Sequence, residues 1–478
     1  MKRFLAIGFY GCVLLACTKG HAQDTTAPVL TLQQCVETGI SKNLDVLQSS
    51  LQMETGKINW NQARLEMLPN LTGSASNGIN QGRSIDPFTN SYINQQVNYA
   101  NYGVNSGVVL FRGLSMQNAV KQNALAYEAS RMDWQQAKDN LTISIILSYL
   151  QVLTNQELLV LAINQAELSR KQVERLEILD KDGAIMPSEL SDLRGQYAND
   201  QLSIISTRNA LEQSKLSLAR LMNVPYDKNI KLEKLDAASF ATRYESTPDS
   251  IYSVALQQFA QVKAVDLRRE SAAKGVKVAR GQLFPTLSLN GNANTNYSSA
   301  ARSDIFINST EVASNDYVLV NGAPSPVIRK QNNFNSQKIG YGEQVKNNIF
   351  TSISLGLQIP IFDAWRQRNR IKLAKIDLKN TEYVASTTKT QLQQSIEEAY
   401  INMTTASERY KTLLVQVNAF QESFRAADIR FNSGVGNSID YLTAKNNLDR
   451  ANSNAVASKY DYVLRTKVLD YYQGKQLW

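Results

Sequence analysis

The sequence predicts a mainly helical chain built as a duplication, in which each half joins two alternating strands to a very long helical hairpin. Three observations carry this reading. The 478 residues hold only 23 Gly and 10 Pro, and so few breakers point to long uninterrupted helices. One helix–proline–strand boundary occurs twice. A seven-residue apolar repeat follows each of two glycine turns. With 43% hydrophobic and 19% charged residues the composition is globular rather than disordered. No run of 18 apolar residues occurs beyond the extreme N-terminus, which excludes a multi-span helical membrane protein.

The chain opens on a targeting segment. Lys2 and Arg3 form a basic start, Phe4 to Ala16 an apolar stretch, and Gly20-His21-Ala22 a small-residue cleavage site before Gln23, as in a secretory signal over residues 1–22. A second reading stands beside it: Leu14-Leu15-Ala16-Cys17 has the form of a lipoprotein signal, with Cys17 acylated and first in the mature chain. Either way the protein leaves the cytoplasm. The only His, His21, lies in this segment, as do two of the three Cys, Cys12 and Cys17, leaving Cys35. The mature chain then has no histidine base, no imidazole ligand and no disulfide framework, so neither an enzyme nor a cofactor is expected. The net charge of +9 is spread thinly, with no basic cluster to bind nucleic acid.

The duplication is read from matched landmarks. Ala63-Arg64-Leu65-Glu66-Met67-Leu68-Pro69-Asn70-Leu71 matches Ala279-Arg280-Gly281-Gln282-Leu283-Phe284-Pro285-Thr286-Leu287 at an offset of 216. Leu110-Phe111, Gly183 and Leu218 match Ile361-Phe362, Gly434 and Leu469 at an offset of 251. About 35 extra residues therefore lie between Pro285 and Phe362. The first repeat spans 23–224, a linker 225–248, and the second repeat 249–478.

In each half a helix runs up to the proline, which stops it. The period then changes to two. Leu71, Gly73 and Ala75 alternate with Thr72, Ser74 and Ser76, and Leu287, Leu289 and Gly291 with Thr286, Ser288 and Asn290. The return strands alternate likewise, through Val104, Ser106, Val108 and Leu110 and through Ile349, Thr351, Ile353, Leu355, Leu357 and Ile359. Such strands fit either a soluble sheet packed on something or transmembrane β-strands with lipid outside and water inside. Four cannot close a barrel, whereas three chains would supply twelve. Tyr99, Tyr102, Phe111, Tyr297, Phe350, Phe362 and Trp365 flank them, as a lipid-interface girdle or as ordinary packing. Polar stretches, Asn77 to Asn98 and Ser298 to Asn348, connect them.

Helical patterns then run to about Lys181 and Asn432, each on the order of 100 Å at 1.5 Å per residue. The returning helices carry Leu190, Tyr197, Ile204, Leu211 and Leu218, and Tyr441, Leu448, Ala455, Tyr462 and Leu469, at spacings of seven. These are coiled-coil seams. The companion positions Leu193, Asp200, Thr207, Ser214 and Leu221 are mixed, which suits the wall of a water-filled tube.

In this order, and twice over, these features resemble the TolC family of outer-membrane factors across essentially the whole mature chain. The resemblance implies a homotrimer with a twelve-stranded barrel in outer-membrane lipid and a periplasmic α-helical tunnel. It implies a passive exit duct for an efflux pump or type I secretion system, working with a periplasmic adaptor (membrane fusion protein) and an inner-membrane transporter. The adaptor-docking tips would be Gly183, Ala184, Ser188 and Leu190 with Gly434, Val435, Ser438 and Ile439. Ser188 and Ser438 can also cap the returning helices. Glu189 and Asp440 match the family's aperture acids, although an acid in a first helical turn is also explained by the helix dipole. The family's second aperture aspartate is Thr443 here, its latch arginine Gly436, and the tyrosine partner Phe431. The rival readings are a periplasmic adaptor, which carries one hairpin within compact β-domains where this chain has two in a strict repeat, and a coiled-coil scaffold, which would not need the alternating strands after Pro69 and Pro285.

Overall fold

The structure is a computed structural model and describes residues 29–85, 90–94, 96–234 and 246–475. The targeting segment over 1–22, with Cys17, lies outside the described residues, as does the 235–245 part of the linker. In chain order the elements are β1 (Val29–Leu30), α1 (Leu32–Lys42), α2 (Leu44–Leu65), β2 (Asn70–Asn80), β3 (Arg83–Ile85), β4 (Tyr92–Asn94) and β5 (Val97–Arg112). Then come α3 (Ser115–Lys181), α4 (Pro187–Met222), β6 (Lys231–Leu232), α5 (Pro248–Gln258) and α6 (Ala260–Gly281). The chain ends with β7 (Thr286–Ser298), β8 (Arg302–Val320), β9 (Ala323–Lys338), α7 (Tyr341–Asn347), β10 (Phe350–Gln358), α8 (Arg366–Asn432) and α9 (Ser438–Tyr472). The two long helices, α3 and α8, are each 67 residues. The fold is mostly helical and repeats one plan twice.

The chain divides into two compact units. One comprises residues up to 47, 138–254 and 395 onward. Its core gathers Ile145, Ile146, Tyr149 and Leu153 of α3, Leu218 and Met222 of α4, Ile396 of α8 and Leu469 of α9, all essentially fully buried. All ten predicted seam residues of α4 and α9 are buried or half-buried. A parallel pair of short strands joins β1 to β6, and the Tyr149 hydroxyl bonds the carbonyl oxygens of Glu233 (2.8 Å) and Leu30 (3.2 Å) at its end. Thr31 and Gln34 form a capping box on α1, which satisfies two otherwise orphaned N–H groups. At the other end of α1, Asn43 donates to the Leu221 carbonyl and Asn223 to the Lys42 carbonyl, both at 3.0 Å. Burial pushes the Cys35 thiol up to about 11, so this free cysteine is an inert core residue.

The other unit, residues 48–137 and 255–394, holds an antiparallel sheet in the order β10-β7-β5-β2. The helices entering it end before the prolines. α2 stops at Leu65 and α6 at Gly281, a turn intervenes, and Pro69 and Pro285 instead precede the strands. One expected strand position also moves. The β5–β7 register shifts between Val109 and Phe111, so Leu110 is the bulged residue and Phe111, not Leu110, stands opposite Leu287.

The stretch 298–348, expected as a polar connection, contains a long hairpin and a helix. β8 and β9 pair through a two-residue turn whose Asn321 and Gly322 have φ of 48° and 84°, the left-handed pair that matches strand twist. Val320 and Ala323 flank this turn as a hydrogen-bonded pair, so Pro324 and Pro326 occupy positions whose missing N–H would point outward. They blunt the free edge of β9 near its tip. Between β2 and β5, the ladder runs to Asn80 and a short β3–β4 pair follows.

The duplication extends to a local turn. Gly113-Leu114 and Ala364-Trp365, again 251 apart, both hold positive φ (54° and 59°, 51° and 61°) where a strand hands over to its long helix. At Gly113 a Cβ would lie 2.3 Å from the Gly281 carbonyl oxygen. Gly113→Ala should therefore destabilise this unit by about 1–3 kcal/mol, whereas Ala364→Gly should be neutral or stabilise by up to about 1 kcal/mol by removing left-handed strain. Thermal unfolding of the two variants should move in these different directions; equal losses would contradict the packing at Gly113.

Candidate functional site

The tips of the two helical hairpins lie within one unit. Both long helices end in the same glycine motif. Gly183 (φ 65°) donates to the Asp180 carbonyl at 3.0 Å and Ala184 to that of Leu179 at 2.9 Å. Gly434 (φ 74°) donates to that of Phe431 at 3.2 Å and Val435 to that of Arg430 at 3.0 Å. This paired bonding closes a helix through a left-handed residue, and glycine supplies it without steric penalty. No atom comes within 4 Å of a Cβ placed on either glycine, so both turns face open space.

The remaining predicted tip residues divide into two groups. Ala184, Ser188, Val435 and Ile439 are exposed, and so is Asp440, while Glu189 is half-buried. Leu190 and Ser438 are buried. Leu190 packs with Val173, Leu176, Leu193, Phe431 and Tyr441 in an apolar cluster shared by both hairpins, and the Phe431 and Tyr441 rings stack at 4.8 Å. Neither serine caps its helix. Met186 precedes α4 without a side-chain cap, since a thioether offers no capping oxygen, and Pro187 occupies the first helical position. Asn437 caps α9 by accepting from the Asp440 N–H at 2.8 Å. Ser438 instead donates across the hairpins to Asp192 Oδ2 at 3.1 Å. Asp440 sits in the first turn of α9, where the helix dipole favours a carboxylate. At Gly436 a Cβ would lie 3.1 Å from the Phe431 nitrogen, so the start of α9 folds too closely over the end of α8 to accept a side chain easily.

Residues that sequence reasoning missed tie the hairpins together. The Arg175 guanidinium donates to the Asn432 carbonyl at 2.6 Å and also to its side-chain oxygen. Deeper, the Lys445 ammonium is 1% exposed and donates to Asp200 (3.0 Å) and Asp449 (2.6 Å). Asp200 also accepts from Ser169 (2.5 Å) and Gln196 (2.8 Å). Burial raises the Asp449 carboxyl above its ordinary value, against the opposing pull of Lys445, and burial beside Asp428, Asp449 and Asp200 raises the Tyr441 phenol. The available sequence signal was that Asp200 falls at a companion position beside the apolar seam of α4, and that Lys445 lies one turn from both Tyr441 and Asp449.

The sheet in the other unit has two chemically distinct faces. On one, Leu71, Val104, Val108, Phe111, Leu287, Leu289, Ala293, Ile353, Leu355 and Leu357 align by register. On the other, rows such as Thr72–Asn105–Asn292–Ser352 and Asn70–Gly107–Asn290–Ser354 cross all four strands. The four strands contain one charged residue, Arg112, at the end of β5. The polar face is therefore uncharged apart from that end and mainly amide and hydroxyl, with Tyr99, Val109 and Phe350 placed on it by the register. The apolar face lies open, with Ile353 83% exposed.

The sequence matches the family described as outer membrane efflux protein over residues 35–224 and 251–471. It is 24% identical over 307 residues to the pyoverdine export outer membrane protein OpmQ of Pseudomonas putida, and the match covers 63% of this chain. The chain spans about 60% of the length of that curated relative. Its fold is similar to that of CusC (TM-score 0.75, 14% identity, covering 93% of this chain and 92% of that one). It is also similar to the outer membrane protein VceC of Vibrio cholerae (TM-score 0.74, 15% identity, 94% and 97% covered).

Lys445→Met should leave two carboxylates buried without their cation and destabilise the tip by about 3–5 kcal/mol, read as faster hydrogen exchange in α4 and α9. The raised Asp449 carboxyl has the opposite sign from a stabilising acid. Its protonated form is favoured by folding, so its contribution is greatest below the unfolded value and is lost as pH rises through the raised one. Asp449→Asn should remove that pH dependence; an unchanged profile would show that Asp449 is not its source.

Proposed function

The chain belongs to the outer membrane efflux protein family, and from that premise we propose that three copies assemble into a passive exit duct through the outer membrane. It would serve an efflux pump or a type I secretion system. The strands would form a shared twelve-stranded barrel and the helices a tunnel through the periplasm. Residues 77–98 and 298–348 would face outside, and the tips near Gly183 and Gly434 would meet a periplasmic adaptor coupled to an inner-membrane transporter.

The observation that carries this reading is the sheet order. β2 and β10 are its two edges, and in lipid each unpaired backbone group is worth several kcal/mol of penalty. The helices attached to those edges have open seams as well. On α2, the heptad-spaced Leu44, Leu51, Ile58 and Leu65 are all exposed, and on α8 so are Leu373, Ile376 and Tyr383. If β2 of one copy pairs with β10 of the next, α2 and α8 are brought side by side and both seams are covered. A coiled-coil adaptor or scaffold gives no reason for the exposed apolar sheet face. The neutral polar face suits a barrel lumen that does not select by charge, which leaves the half-buried Glu189 and exposed Asp440 at the tips as the candidate carboxylate rings.

Two measurements test the assembly and the docking. Leu51→Asp with Ile58→Asp should abolish the heat-sensitive trimer band, because six charges would enter three helix seams. A persistent trimer with normal insertion would refute the seam pairing. Gly183→Leu or Gly434→Leu should block export while trimer and insertion survive. Left-handed strain of about 1–2 kcal/mol is small against the assembly, and the new side chain meets only open space in the chain itself. Drug susceptibility and cross-linking to the adaptor read this out; normal export by both variants would mean that the tips are simple helix turns.

A further inference from the structure

We propose that α7 and the base of the β8–β9 hairpin form a collar on the outside of the barrel that binds phosphorylated lipid headgroups of the outer leaflet. This rests on the reading of the apolar sheet face as lipid-facing. The register fixes where α7 lies. Tyr102 pairs with Thr295, two residues along from the Val104–Ala293 pair, so the Tyr102, Thr295 and Tyr297 side chains share the apolar face. All three meet α7. The Tyr102 and Tyr341 hydroxyls are 2.5 Å apart, Thr295 donates to the Val345 carbonyl at 2.7 Å, and the Tyr297 and Tyr341 rings are 4.7 Å apart. α7 therefore covers the apolar side of the sheet, not the polar one.

The helix is held rigidly there. Gln344 is 1% exposed, accepts from the Ser298 N–H at 2.9 Å, and donates to the carbonyls of Ser298 (3.0 Å) and Ile339 (2.9 Å). Asn348 donates to the Asn296 carbonyl at 2.8 Å. Thr295 to Leu287 is about 26 Å of strand, or about 20 Å of height at a barrel's tilt. Exposed Ile359, Ile361 and Phe362 prolong the apolar face at the opposite end. That accounts for the apolar band of about 25 Å in an outer-membrane barrel and sets α7, with its Tyr341 against the strand tyrosines Tyr102 and Tyr297, at the outer boundary, where amphipathic aromatics belong.

Cations gather at the same level. Arg302 and Lys338 stand directly opposite each other at the first rung of the hairpin, an arrangement that destabilises itself unless an anion lies between or beside them. Lys346 is exposed on α7. Among the described residues none of the three forms an ion pair, and neither do Asp304 and Glu343, the nearest carboxylates in sequence. Unpaired cations beside tyrosines at the top of an apolar band match a phosphorylated headgroup whose acyl chains lie below.

The test uses the purified full-length trimer in phosphatidylcholine nanodiscs containing diphosphorylated lipid A, with dephosphorylated lipid A as control. Retained lipid is counted by native mass spectrometry. Wild type should retain the phosphorylated form selectively. Arg302→Gln/Lys338→Gln/Lys346→Gln should weaken retention about fivefold per cation, and so about a hundredfold, with the trimer band unchanged. Equal retention by the variant, equal retention of the dephosphorylated lipid, or full displacement by millimolar inorganic phosphate would overturn the headgroup site. Brominated-lipid quenching of a tryptophan placed by Ile353→Trp reads the underlying premise separately. An unquenched probe removes the lipid-facing assignment itself, whereas a quenched probe with unselective retention removes only the collar.

Discussion

Backbone N–H and C=O groups along the outer sides of β2 and β10 have no partner in their own sheet, and hydrocarbon offers none. Much of the chain follows from that constraint. Four strands are too few to curl closed, so in the proposed assembly other copies pair the edges. Those copies would bring helices with them, and the exposed seams of α2 and α8 lie on the segments that adjoin the two open edges. Duplication makes this economical, because each half supplies the same helix, strand pair and hairpin, and the same two-residue left-handed turn between strand and long helix.

Where the sheet meets its surroundings, chemistry is sorted by face rather than by strand. The alternation puts the paired leucines and Ile353 on one side and most of the asparagines on the other, with Gly73, Ser106 and Gly291 sharing the apolar side. The bulge at Leu110 is the exception, and it keeps Phe111 on the apolar side as β5 leaves the sheet. The same register assigns α7 to the apolar side. The hairpin tips follow a different logic. Their glycine turns are open, but immediately behind them the hairpins are joined by an aromatic cluster and by charged groups. The buried Lys445 ammonium is shared between Asp200 and Asp449, and Asp200 is itself fixed by Ser169 and Gln196, which is what makes a buried charge tolerable. Contacts between the hairpins of this chain pass through Arg175–Asn432, Ser438–Asp192 and Lys445–Asp200, beside the stacked Phe431 and Tyr441 rings.

The sequence by itself determined the mainly helical class, the duplication, the strand faces, the seams of α4 and α9 and the position of both glycine tips. Each of these is a periodicity or a breaker, written in neighbouring residues and set by local geometry. Only the tertiary structure decided that Leu190 and Ser438 turn inward, that Asn437 rather than Ser438 caps α9, and that Lys445 is buried with two carboxylates. It also decided that a polar connection of some fifty residues contains a hairpin and a helix laid on the apolar face. The reason is physical: whether a side chain is covered depends on what packs against it from far along the chain, and a lysine on a helix reads as solvent-facing until its partner on another hairpin is in place.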